Sequence, residues 1–343
     1  MLKGLTARRE AVLKIIVSEY VDTAVPVASE TIFRNYKLGV SSATIRNDMA
    51  YLEEAGYIAR PHTSAGSVPL DKGYRHYVES LTKKTELNVQ EQDRIRKLFS
   101  EVEKEFEKWL KLAAVIAASL VKNAALVTLP KPRQCRLKHL ELVALQEFMS
   151  LMVLILGEAI LKRQLLSFGE PVTQERLAIM SNKLNAVFSG LTSSEIIAKK
   201  LELPSEEAQV TEAVIDMMSA EDELEYEQPY LEGLRLMLGQ PEFAEKDRML
   251  SIMELMETKD WLSSAFGRRS DDFGVQVVIG EENRNETLRD LSLVFSRYGI
   301  PDQIGGTIVV IGPTRMNYRR AISTVDYISG ILSDLVAGVS RND

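Results

Sequence analysis

The chain has 343 residues, 45% of them hydrophobic and 27% charged, enough for two or three cores and too apolar for a disordered chain. Its longest apolar runs, 112–121 and 151–156, are far below the ~20 residues that span a bilayer, the N-terminus lacks a signal-peptide core, and the single cysteine, Cys135, excludes an internal disulfide; a cytoplasmic protein with no membrane partner is expected. The net charge of -7 is uneven, because residues 1–85 hold 12 Lys+Arg against 9 Asp+Glu and the rest hold 30 against 40, which sets a basic module on an acidic body and keeps nucleic acid open as a partner.

Thr6 is a good N-cap for a helix over 7–22, with Val12, Ile15, Ile16 and Tyr20 on one stripe. Pro26 breaks it. A second short helix over 29–36 is expected to bury Ile32, Phe33 and Tyr36, and Gly39 is free to take positive φ in the turn that follows. Ser41 caps a third helix that runs to about Ala55 and is closed by Gly56. At 100° per residue Ile45, Met49 and Leu52 share a narrow buried arc, with Asn47 nearly opposite.

After Gly56 come a β-prone Y-I-A-R, a turn P-H-T-S-A-G and a second short strand S-V-P, which completes a winged helix-turn-helix. The outward face of the third helix offers Ala43, Thr44, Arg46, Asn47 and Tyr51 to base edges, since Asn pairs with adenine, Arg with guanine, and small residues touch a thymine methyl. Arg60, His62, Thr63 and Ser64 on the wing, with Lys72 and Arg75 beyond it, are phosphate-type contacts. The bland alternative is an ordinary small domain of helices and a hairpin that binds nothing.

Residues 90–123 read as one long helix with Val102, Phe106, Trp109, Leu110, Ala113, Ile116 and Leu120 at heptad-like spacing, more a core stripe than a dimer seam. Segments 137–145 and 150–157 form a hairpin, 275–280 and 307–312 add strands, and 317–335 is an amphipathic helix, together an α+β body. From Leu201 to Glu227 there are ten Asp+Glu and no Lys or Arg, which reads first as a solvated face. I-G-P-T-R-M (311–316) and G-E-E-N (280–283) read as turns rather than as ligand sites.

No phosphate loop, dinucleotide fingerprint, zinc-protease or nucleophile-elbow motif is present, and His62, His76 and His139 are too scattered for a triad. No catalytic residue, metal or cofactor is expected.

The stretches S-S-A-T-I-R-N-D-M (41–49), L-E-E-A-G-Y (52–57), P-H-T-S-A-G (61–66) and P-L-D-K-G-Y-R-H-Y-V (69–78) resemble the HrcA family of heat-inducible transcription repressors. So do G-E-E-N (280–283), L-S-L-V (291–294) and V-I-G-P-T-R-M-N-Y (310–318) near the other end, whereas about 170–245 matches only loosely. The resemblance implies an α+β multidomain chain: a winged helix-turn-helix DNA-binding domain at 1–85, a GAF-like domain in two parts at 86–174 and 244–343, and an inserted acidic helical dimerisation segment at 175–243.

It further implies a homodimer on double-stranded DNA carrying an inverted repeat, the CIRCE operator of chaperone operons, with a GroE-type chaperonin as modulator. The family usually has Arg and Ile where this chain has Ser67 and Val68, so one basic wing contact is expected to be missing, and Ser67→Arg is expected to tighten DNA binding generally. Val309 stands where the family tends to have glycine, which questions local packing. Two other readings stay open: a regulator whose GAF-like domain binds a metabolite, and a catalytic domain carrying a winged helix, as in biotin-ligase-type regulators.

Overall fold

The computed structural model describes residues 5–62, 65–81, 86–102, 105–132, 134–157, 160–223, 229–258, 261–262, 274–301 and 303–339. Helix α1 (Ala7–Thr23) starts where Thr6 accepts from the Arg9 N–H and stops at Ala24, which is left-handed and donates its N–H to Tyr20. Helix α2 (Ser29–Asn35) is short, and α3 (Ser42–Glu54) begins at Ser41, whose hydroxyl accepts from the Thr44 N–H.

Gly56, at φ +74°, turns the chain from α3 into β1 (Ile58–Ala59), which pairs antiparallel with β2 (Val68–Pro69) to make the wing. A further bridge, Val27 to Ser67, ties the wing to the segment before α2. Leu13, Ile16, Ile32, Ile45, Leu52 and Ile58 are fully buried, each contributing about 1.5–3 kcal/mol relative to exposure. Phe33, expected in this core, is 46% exposed, because the seven residues of α2 turn only Ile32 inward.

Helix α4 (Asp71–Glu79) follows the wing. The long helix expected over 90–123 is two helices, α5 (Val89–Glu101) and α6 (Phe106–Val121), because Val102 is extended at φ -85°, ψ 137°. The single apolar stripe is therefore two, Ile95 and Phe99 on α5 and Trp109, Leu110 and Ala113 on α6. Strand β3 (Ala124–Val127) then enters the main sheet.

From here the chain leaves its first compact unit, Met1–Pro130 with Gln228–Pro301 and Gly305–Asp343, for a second, Lys131–Glu227 with Asp302–Ile304. The second unit opens with the two-residue strand β4 (Lys131–Pro132), followed by a meander of β5 (Leu137–Gln146), β6 (Met149–Leu156) and β7 (Ile160–Ser167) and by α7 (Gln174–Phe188), α8 (Ser193–Ala198) and α9 (Ser205–Glu223). Strict alternation along β6 sends Met152 and Leu154 into one core with Leu184 and Phe188 of α7 and Val214 of α9.

The boundary expected at 174/175 therefore cuts through one core, and the hairpin assigned to the GAF-like sheet lies in a separate sheet. The acidic run marked only the last helix of that unit. No composition shift marks its start at 131, and an alternating strand pattern does not reveal which helices cover it.

Back in the first unit, β8 (Tyr230–Glu232), α10 (Leu234–Leu238), α11 (Lys246–Glu257), β9 (Gln276–Ile279), β10 (Leu291–Ile300), β11 (Ile304–Pro313) and α12 (Tyr318–Val339) complete the body. Its sheet runs in the order β8-β3-β11-β10-β9, with α12 packed on β10, α6 on β3, and the two helices touching. Tyr298 is fully buried and donates to the Thr128 carbonyl at 2.5 Å, and its ring lies where a Cβ on Gly306 would stand, so that glycine is required. Val309, the departure noted in the sequence, is fully buried in β11. Among the described residues no helix is long and apolar enough to cross a membrane.

Candidate nucleic-acid interface

Burial of Ile45, Met49 and Leu52 fixes the rotation of α3 and leaves Ala43, Arg46 and Asn47 exposed together. Thr44 and Tyr51, on the flanks, are half-buried. The Thr44 hydroxyl lies 3.0 Å from that of Ser41, and the Tyr51 ring carries the Arg9 guanidinium 3.5 Å above its centre. The structure therefore gives these two side chains local partners on the rim of the face.

Sequence reasoning missed what holds α3 against α1. Asp48 is 2% exposed and accepts from Arg8 Nε at 2.6 Å, Arg8 Nη2 at 3.2 Å and Arg9 Nε at 3.3 Å. The hydrogen bond from Arg8 is the main cause that holds the Asp48 carboxyl below its ordinary range, and Arg9 adds to it. The adjacent arginines in R-R-E, at the start of α1, were the available signal. Their partner lies 40 residues on and could not be read from spacing.

The expected phosphate set divides. Arg60 is exposed at the base of the wing, its Nε 3.3 Å from Glu53, and His62 is exposed on the turn, its carbonyl accepting from the Ala65 N–H at 2.9 Å. Thr63 and Ser64 lie outside the described residues. Lys72 donates from Nζ to the Ala55 carbonyl at 2.8 Å and lies over the Tyr57 ring, so it satisfies a carbonyl at the end of α3.

Arg75 is a correction. Its guanidinium pairs with both Glu282 oxygens and donates to the Val277 carbonyl at 2.7 Å, which commits it to the body of the protein. Ser67, placed on the wing surface by the sequence, is fully buried, so an arginine there would not stand on an exposed wing edge.

The two motifs read as plain turns hold the winged module in place. Gly280–Glu282 is a 3-10 turn whose Glu281 N–H donates to Asp71 at 2.8 Å, alongside the Arg75 pair. Gly280 has φ +51°, and a Cβ on it would run into the Asp71 carboxylate. Burial, as the main cause, lifts the Asp71 carboxyl above its ordinary range. In the second motif Pro313 ends β11 instead of opening a helix, and Arg315 donates to the Val21 carbonyl of α1 at 2.8 Å while paired with Glu242 at 2.5 Å. Among the described residues no cluster of His, Cys, Asp and Glu could hold a metal ion.

A recognition-type helix with an exposed polar face, a two-stranded wing and an α+β body define a winged helix-turn-helix protein. In keeping with that class, residues 36–69 match a family profile described as a DeoR-like helix-turn-helix domain. Residues 107–322 match the profile of the HrcA protein C terminal domain.

The chain is 47% identical over 333 residues to the heat-inducible transcription repressor HrcA of Dehalococcoides mccartyi, covering 97% of this chain and 96% of that protein. It is 40% identical over 350 residues to the protein of the same name from Chloroflexus aurantiacus, covering 97% and 94%. A crystal structure of a hypothetical protein superposes with a TM-score of 0.64 over 98% of this chain and 99% of the other; at 24% identity it speaks for the fold alone. This chain belongs to the HrcA family of heat-inducible transcription repressors.

Proposed function

We propose that the protein represses heat-inducible chaperone genes by binding, as a homodimer, an inverted-repeat operator of the CIRCE type in the cytoplasm. The observation that carries this reading is the outward set Ala43, Arg46 and Asn47 on α3, inside the segment that matches a helix-turn-helix profile in a chain of this family. Asn47 carries the donor and acceptor that an adenine edge needs, exposed Arg46 adds positive charge beside it, and one such helix per chain suits a two-fold operator. The family membership also speaks against an enzyme.

Support for a dimer comes from the face of the β5–β7 meander opposite its helices, where Val143, Leu161 and Leu165 are 37%, 57% and 58% exposed around Leu151, Val153 and Ile155. Exposed apolar side chains in neighbouring register positions are what a homodimer seam requires. The body, an antiparallel sheet with helices packed on it, is read as GAF-like, and a GroE-type chaperonin as the modulator follows from the family resemblance.

Fluorescence anisotropy with a palindromic CIRCE-type duplex and a scrambled control at one salt concentration, with and without chaperonin, tests the reading. Operator-selective binding that chaperonin strengthens is expected. Equal, weak binding to both duplexes in both conditions would overturn it.

A further inference from the structure

Between the segment before α2, the flank of α3 and the base of the wing lies an open recess of about 160 Å³. Its wall includes Ser29, Arg46, Met49, Arg60 and Ser67. The volume equals the share of several liquid waters at about 30 Å³ each, room enough for a tetrahedral oxyanion.

Ser67 makes the recess more than a surface dent. The residue is fully buried, and its hydroxyl oxygen has no hydrogen-bond partner in the fold. Its backbone is fixed on both sides, the Ser67 N–H donating to Val27 at 2.8 Å and the Val27 N–H donating to Ser67 at 2.9 Å. Beside it the wing passes so close to the loop before α2 that a Cβ on Gly66 would meet the Pro26 carbonyl at 2.5 Å. The backbone is therefore fixed where Ser67 lines the recess, and its hydroxyl is left there without a partner.

Charge points to the kind of acceptor. Arg46 is exposed, and Arg60 is paired with Glu53 at 3.3 Å, so two guanidiniums line the recess and one of them already carries a carboxylate partner. That setting suits a singly charged phosphodiester. We propose that the recess seats one backbone phosphate of bound DNA, with the Ser67 hydroxyl donating to it and Arg46 and Arg60 supplying the charge. The seat rests on the DNA-binding reading, and it moves Arg46 from base reading to positioning.

The test is anisotropy on the full-length protein with a palindromic and a scrambled duplex over a salt series, for wild type, Ser67→Ala, Ser67→Thr and Arg46→Gln. Ser67→Ala is expected to weaken both duplexes equally, roughly 3- to 10-fold, with an unchanged salt slope and no loss of melting temperature; Ser67→Thr restores the donor and the affinity. Arg46→Gln is expected to weaken both and to lower the salt slope by about one. Wild-type affinity in Ser67→Ala, or an Arg46→Gln loss confined to the palindrome, would overturn the seat while leaving DNA binding intact. Failure of wild type on both duplexes would instead strike the functional reading beneath it.

A parallel arm titrates inorganic phosphate against chloride at matched ionic strength. If phosphate stabilises wild type but not Ser67→Ala while both bind duplex alike, the recess is a free-anion site and the DNA assignment fails.

Discussion

Helices α3 and α4 flank the wing, and their basic residues sit in opposite settings. On α3, Arg46 and Asn47 project from the side opposite the buried arc. On α4, Lys72 closes the end of α3 and Arg75 grips Glu282, so the cations there hold the module together and to the body. Lys72 and Arg75 show that a basic residue close to α3 need not face outward, because the fold can give it a partner first.

The largest effect is expected in stability. Asp48→Ala should cost about 2–3 kcal/mol, since it strips a nearly buried carboxylate from Arg8 and Arg9 and frees α3 from α1; thermal melting would show it. The same carboxyl sets a pH dependence. Its pKa is depressed in the folded state, so its contribution is complete above the unfolded value of about 3.9 and is lost as pH falls through the folded value. Acid unfolding below about pH 4 should therefore be steeper for wild type than for Asp48→Asn, and identical acid limbs would remove this pair from the account.

Affinity comes next. Asn47→Ala is expected to cost about 1–3 kcal/mol on the operator and much less on scrambled DNA, measured by anisotropy; an equal loss on both would make Asn47 a positioning residue. Arg75→Gln should lower stability by about 1 kcal/mol, a value discounted for the partial exposure of the Arg75–Glu282 pair, and should leave operator selectivity in place. The smallest effect is chemical. Burial, with Asp222 nearby, pushes the Cys135 thiol up to about 12, so alkylation of the native protein at neutral pH should be negligible by mass spectrometry, and rapid labelling would contradict that burial.

The recognition helix was legible because its signals are local: a serine cap, a 3.6-residue apolar arc and a closing glycine. The paired wing strands followed from the same logic. What escaped was non-local. The Arg75–Glu282 pair spans 207 residues, and the buried Ser67 bridges to Val27, 40 positions before it in the chain.

The break after Glu101 carries no proline or glycine, so periodicity ran straight through it. Strand β6 alternates cleanly and β7 was not read at all, and alternation says only that a face is buried and not against which helices. The C-terminal motifs were visible as turns, and their grip on α4 and α1 appeared only once the chain was folded.

The most direct test of the contrast between the two helices is the salt dependence of operator binding for wild type, Arg46→Gln and Arg75→Gln. The account predicts that loss of Arg46 lowers the slope of log K against log salt by about one while loss of Arg75 leaves it unchanged. A slope lowered by the Arg75 variant and untouched by the Arg46 variant would contradict it.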